Sequence, residues 1–422
     1  MTMTSDELLT RTVAFYCASS EANGLPVRDL LEPDGPSVEE IRRLAVQMAN
    51  QGVIEVVFHE VDENPHIRRL PSGMRRPFLE LVEECSIENA CLYPSRAYIE
   101  LSVDLTRWSG APYTRELWAG GSHLDIVFFD LAVLERYRND PRYLYRQDYF
   151  GGSILLRGEG EDQMSFQDRD RVLLPRFGIG FDQSRHWVVG AMLRDLHGLS
   201  PEHQGMWKSY ERGDPCTINE ASFDMWFNGS WLDYVSMFEA IPGELKTINA
   251  ICLAAFGRHL FRTAFDDGLP DGYGVLLRPT EKEFLDFTRA LDLMLSENID
   301  KGFFPVDISR VAMERQSDGT VKAIDKGTIQ LLEAWFRVAY SVPDCDPAAE
   351  VAGVFRTVRK LRSRAAHSAV KDKFDQQYEG KQRSIMEQVY TALGTLRIAL
   401  SQHPKARHVD VPAWLEGGVR QL

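Results

Sequence analysis

Two side chains late in the sequence have the chemistry to cleave a phosphodiester: Arg362 and His367, in the run Arg362-Ser363-Arg364-Ala365-Ala366-His367. Cutting RNA from its 2′-hydroxyl requires that hydroxyl to lose a proton, the phosphorane charge to be met, and the departing 5′ oxygen to gain a proton. Imidazole titrates near neutrality and can move both protons, contributing about 10²–10⁴-fold in rate. A guanidinium stays charged at any working pH and pairs with phosphate oxygens through a planar fork of donors. This chemistry needs no metal and no other cofactor. Arg356, Arg359, Lys360, Arg364, Lys371 and Lys373 crowd the same stretch and are candidates to hold an RNA backbone. The plain structural alternative is a histidine at a helix C-terminus, where it is a favourable partner of the helix dipole with no catalytic duty.

The elements that must position this pair are helices. Thr280 can cap a helix beginning at Glu281, with Phe284, Phe287, Leu291 and Met294 or Leu295 inward and an end expected near Gly302. A second helix is expected over Thr328 to Tyr340, burying Ile329, Leu332, Trp335, Phe336 and Ala339. A third runs from Pro347 towards His367 with Val351, Val354, Phe355, Val358, Leu361 and Ala365 inward, and a fourth from Gln382 to His403, stopped by Pro404. Four amphipathic helices in succession predict an all-α bundle over 277–408, with 409–422 as a tail. Five residues on a regular helix sweep about 500°, so Arg362 and His367 diverge by roughly 140° around the axis. They meet on one phosphate only if the helix ends or distorts between them or a second chain supplies one of them, which favours a twofold homodimer.

This layout resembles a HEPN domain (higher eukaryotes and prokaryotes nucleotide-binding), whose signature is Arg-x4-6-His near the end of a late helix. The resemblance implies a cytoplasmic RNase of a prokaryotic toxin, phage-defence or stress system, with Arg362, Ser363 and His367 catalytic, two motifs facing each other across a dimer, and a partner protein or antitoxin. One position departs from the pattern: the residue after the Arg is often Asn in active members, and here it is Ser363, which keeps a hydrogen-bonding group but shortens it.

The first 76 residues pattern as helix, short helix, longer helix and two strands. Pro36-Ser37 followed by Glu39 and Glu40 starts the longer helix, with Ile41, Leu44, Ala45 and Met48 inward. Strands are expected over Val53 to Phe58 and His66 to Leu70. The order resembles a winged helix-turn-helix, with Ser37 to Asn50 in the recognition-helix position and Arg42, Arg43, Gln47 and Asn50 as candidates for DNA or protein contact. Residues 1–75 hold 7 Lys and Arg against 12 Asp and Glu. That acidity favours a protein-contact or structural role over DNA binding, because phosphate affinity rests on basic groups.

Between them, 77–276 is expected to be a mixed α/β domain. Strand-like runs (Ala97 to Val103, Leu124 to Phe129, Gly152 to Leu156, Trp187 to Val189) alternate with helical ones (Leu131 to Tyr137, Met225 to Met237, Leu245 to Phe265). Its many aromatics, Tyr113, Trp118, Tyr137, Tyr143 and Trp207 among them, are expected as core rather than as a stacking platform for bases. Arg176 to Asp182 carries a G-x-G without the third glycine or the strand-to-helix setting of a dinucleotide site. No P-loop is present, and His186, His197 and His203 match no zinc spacing.

The whole therefore predicts a multidomain α+β chain. The net charge of −14 over 422 residues argues against a general polyanion binder, but Asp346–Leu422 holds 13 Lys and Arg against 8 Asp and Glu. Only this end leans basic, as a local RNA site would. Six scattered cysteines, no signal-peptide pattern and no long apolar run predict a cytoplasmic protein with reduced thiols and no membrane partner. The non-catalytic alternative is a dimeric regulator or scaffold that uses the winged-helix-like module for DNA or protein contact.

Overall fold

The computed structural model describes residues 3–31, 33, 35–68, 78–138, 140–157, 167–224, 226, 235–266, 268–315, 320–340, 345–365 and 372–420, without the side chains of 78, 79, 364, 365 and 420. The chain is mixed α+β and divides into two compact units: Met1–Tyr145 with Gly151–Ser222, and Arg146–Phe150 with Phe223–Leu422.

The first unit opens with α1 (Ser5–Ala18). Its N-terminus is fixed by a capping box in which Thr4 accepts from the Glu7 N–H and the Glu7 carboxylate accepts from the Thr4 N–H. Strand β1 (Leu25–Pro26) follows, then a 3-10 turn over Val27–Leu30, and α2 (Val38–Asn50), capped as expected by Ser37. Gly52, at φ 71°, turns the chain out of α2 into β2 (Ile54–Val57). The sheet is completed by β3 (Cys91–Pro94), which lies between β1 and β2 and pairs antiparallel with both. Leu8, Ile41, Leu44, Ala45, Met48, Ile54 and Leu92 close one apolar cluster over it.

The second strand expected at His66 to Leu70 is therefore displaced. Residues 66–68 are not strand and 69–70 lie outside the described residues. Arg68, fully buried, explains why: its guanidinium donates to the Pro94 carbonyl at 2.8 Å and lies 4.5 Å from the Tyr93 ring centroid, a setting that satisfies a charge inside rather than a ladder.

Ala97 to Val103, expected as strand, is helix α3 (Arg96–Ser102), because Ser95 accepts from the Tyr98 N–H at 3.1 Å and nucleates a turn. Helix α4 (Pro112–Trp118) precedes the larger sheet, made of β4 (Ile126–Asp130), β5 (Tyr143–Gln147), β6 (Gly151–Leu156), β7 (Leu173–Asp182) and β8 (Trp187–Met192) in the order β4-β8-β7-β6-β5. Helix α5 (Pro201–Ser209) is capped by Ser200, and β9 (Cys216–Ile218) pairs with β7. The G-x-G run lies in β7, and a Cβ on Gly180 would stand 2.5 Å from the Thr217 carbonyl. That glycine admits a neighbouring strand rather than a nucleotide. Leu131 to Tyr137 begins as a 3-10 turn and continues as one α turn. Tyr113, Trp118, Tyr137, Tyr143 and Trp207 are buried, as expected of core aromatics.

Among the described residues the second unit holds one further helix, α6 (Met237–Phe256), and the four helices expected over 277–408: α7 (Glu281–Met294), α8 (Thr328–Ala339), α9 (Pro347–Ala365) and α10 (Gln377–Ser401). Helix α6 covers part of the run expected as helix to Phe265, and Gly257 at φ 72° ends it. Most of the Met225 to Met237 run, at 225 and 227–234, lies outside the described residues. Helix α6 packs along α10, where the buried Glu244 carboxylate meets Arg397 Nε at 2.8 Å. The unit therefore begins at Phe223, upstream of the 276/277 boundary drawn from the sequence. Helix α7 stops at Met294 rather than near Gly302. Between α7 and α8 stands an antiparallel hairpin of β10 (Val311–Arg315) and β11 (Val321–Asp325), which the sequence reading missed. Nor is 409–420 a loose tail: Trp414 packs on Gly243 of α6, and Val419–Arg420 pairs parallel with Val235–Ser236.

Candidate active site at the end of helix α9

Helix α9 carries Arg356, Arg359 and Arg362 at three-residue spacing, which turns them towards neighbouring helices rather than all into solvent. Arg362 Nη1 donates to Asp292 Oδ2 at 2.8 Å and also pairs with Glu297. Arg359 Nε lies 3.5 Å from the same Asp292 oxygen. Asp292 sits on the inner face of α7 and is fully buried, whereas the Arg362 side chain is 35% exposed and Glu297 36%. A carboxylate taken out of water must be paired, and two guanidiniums with the Ser296 hydroxyl, which donates to Asp292 Oδ1, do so. Thr328, the first residue of α8, extends the chain by donating to the Ser296 carbonyl at 2.6 Å. Hydrogen bonds to Asp292 and then Glu297 raise the Arg362 pKa above its usual value, so it is a permanent cation.

The other expected site residues fare differently. Ser363 is exposed and its hydroxyl donates back to the Arg359 carbonyl at 2.9 Å, one turn earlier, so it makes no bond to Arg362. Lys360 and Lys373 are exposed. The Lys373 carbonyl accepts from the Glu281 N–H, which ties that stretch to the start of α7. His367 and Lys371 lie outside the described residues, as does the side chain of Arg364. Arg356 is paired to Glu333 of α8, which also pairs with Arg337. Three of the basic residues, Arg356, Arg359 and Arg362, are thus matched by Glu333, Asp292 and Glu297, which weakens their pull on a polyanion.

No family model, curated protein or solved structure matches the chain. Function has to be argued from the geometry alone.

In the first unit, Arg43, Gln47 and Asn50 lie on the exposed face of α2, but Arg42 does not join them. Its Nη1 donates to the Val82 carbonyl at 2.8 Å, which commits it to packing. Two histidines there are buried and neutral. His123 accepts from the Arg68 N–H at Nδ1 and donates from Nε2 to the Glu21 carbonyl, and burial holds its pKa down to about 4. His203 Nδ1 lies 2.6 Å from the Tyr137 hydroxyl, and burial lowers it likewise to about 4. Among the described residues no group of His, Cys, Asp or Glu is placed to hold a metal ion, and no helix is long and apolar enough to cross a membrane.

Sequence reasoning missed Asp292, Ser296 and Glu297. The signal was present: Phe284, Thr288, Leu291 and Leu295 define the inward stripe of α7, and Asp292 falls inside it. A carboxylate on an apolar stripe asks for a buried cation.

Proposed function

We propose that the second unit is a metal-independent endoribonuclease of the toxin, phage-defence or stress type, acting as a homodimer. His367 moves the protons and Arg362 meets the charge that builds on the scissile phosphate. The 2′ oxygen attacks phosphorus, the bond from phosphorus to the 5′ oxygen breaks, and the leaving oxygen takes a proton. The observation that carries this reading is the setting of Arg362: a permanent cation on the last turn of α9, held by the buried Asp292 and by the partly exposed Glu297, with 35% of its own side chain reaching solvent. Pre-orientation of this kind is what stabilising developing charge requires. Incubation of the purified protein with single-stranded RNA and tRNA in EDTA tests it. The expected products end in 2′,3′-cyclic phosphate and 5′-hydroxyl, and intact RNA in the presence of cell extract or partner protein overturns it.

A second reading, a winged-helix regulator or scaffold, is supported by a different observation. The order β1-β3-β2, with α2 between β1 and β2 in sequence and Arg43, Gln47 and Asn50 facing out, is the arrangement such modules use to present a helix. Gel-shift titration against DNA upstream of its own coding region discriminates: tight, salt-sensitive binding without RNA cleavage favours the regulator.

A further inference from the structure

The two carboxylates on Arg362 are not equivalent. Asp292 is fully buried, shares its second oxygen with the Ser296 hydroxyl and is also approached by Arg359, so it cannot leave without stranding a charge in the bundle. Glu297 lies just past the end of α7, its N–H bonded to the Asp292 carbonyl, and its side chain reaches solvent. Rotating it into water costs little, because ion pairs at such exposure are worth about 0–1 kcal/mol. With both carboxylates in place, Arg359 and Arg362 are matched charge for charge, so a phosphodiester gains full use of Arg362 only when one acid withdraws.

We propose that Glu297 occupies the seat of the substrate phosphate on Arg362, and that Asp292 is the positioning residue that keeps the guanidinium aimed once Glu297 swings away. The inference rests on the ribonuclease reading and names its substrate gate. Glu297 accepts from Nη1, the same nitrogen that donates to Asp292, and a phosphate oxygen accepts from a guanidinium N–H as a carboxylate oxygen does.

The test measures affinity for a fluorescein-labelled single-stranded RNA by anisotropy, over a range of salt, in a His367→Ala background that prevents cleavage. Glu297→Gln is expected to bind about three- to ten-fold more tightly, an effect on the scale of one ordinary hydrogen bond. The plot of log affinity against log salt should steepen by about 0.7, one more counterion released from a single strand. A purely structural pair predicts unchanged or weaker binding and an unchanged slope, and either result overturns the proposal. Asp292→Asn is expected to act in the opposite direction, lowering the single-turnover cleavage rate in the His367 protein, and equal signs for the two variants also overturn it. Failure of the ribonuclease reading is seen separately, as wild-type protein that leaves RNA intact or as cleavage that survives both Arg362→Lys and His367→Ala.

Discussion

Arg68 and Arg362 are both arginines beside buried partners, yet they do opposite things. Arg68 is enclosed in the first unit by the Tyr93 and Tyr16 rings, the Pro94 carbonyl and, at 3.8 Å, Glu55. Its charge is turned wholly inward, and the side chain is only 2% exposed. Arg362 has one fully buried partner, Asp292, and one that is 36% exposed, Glu297. The difference teaches that an arginine enclosed in the core is spent on the fold, whereas one held by a buried carboxylate but itself reaching solvent keeps part of its charge for a ligand.

The comparison breaks most sharply at Arg68. Arg68→Met removes the guanidinium that bonds the Pro94 carbonyl and lies over the Tyr93 and Tyr16 rings, and should cost the first unit about 3–5 kcal/mol, read as a lower denaturant midpoint. Acid attacks the same place through His123, whose Nδ1 must stay unprotonated to accept from the Arg68 N–H. Its native pKa is lowered to about 4 while an unfolded histidine titrates near 6.5. The unfolded state therefore takes up the proton first, and stability is full above about pH 6.5 and lost as pH falls towards 4, by about 3 kcal/mol. His203, shifted the same way, adds a loss of the same sign. Urea titrations of the first unit's unfolding at pH 7, 5.5 and 4.5 measure this, and a flat profile contradicts it.

Asp292→Ala should cost less, about 1–3 kcal/mol, because the two arginines it abandons already reach water. Thermal unfolding against wild type checks the ranking, and a loss as large as that of Arg68→Met removes the distinction between the two sites. The smallest effect belongs to Arg43→Ala on the exposed face of α2, within about 0.5 kcal/mol of wild-type stability. If the regulator reading is correct, the same variant weakens DNA binding and lowers its salt slope.

Much of this was written in the chain where periodicity and caps agree. Ser37 and Thr280 cap the helices they were expected to cap, and the inward faces of α2, α8 and α10 follow the 3.6 period, except that Ala339, expected inward at the end of α8, is exposed. What failed depends on distant partners. Strand β3 is short and pairs across more than thirty residues from β2, so no local pattern separates it from a loop. The Ala97 run has strand-like side chains overruled by one serine cap. Helix α6 was read with the middle segment, whereas it falls in the second compact unit, because its apolar face says that it is buried, not against what. Of the candidate site, Arg362 was legible as a charged residue in a suggestive spacing. Asp292 and Glu297 became visible only when α7 was laid beside α9, which is information held in packing.

The most direct test of the central claim is the single-turnover rate of RNA cleavage in EDTA for wild type, Arg362→Lys and His367→Ala, with circular dichroism and sedimentation confirming fold and assembly. The account predicts that the wild type cuts and that His367→Ala is slower by about 10²–10⁴-fold, with Arg362→Lys also impaired because a point charge does not replace a fork. Equal rates for all three proteins would contradict it.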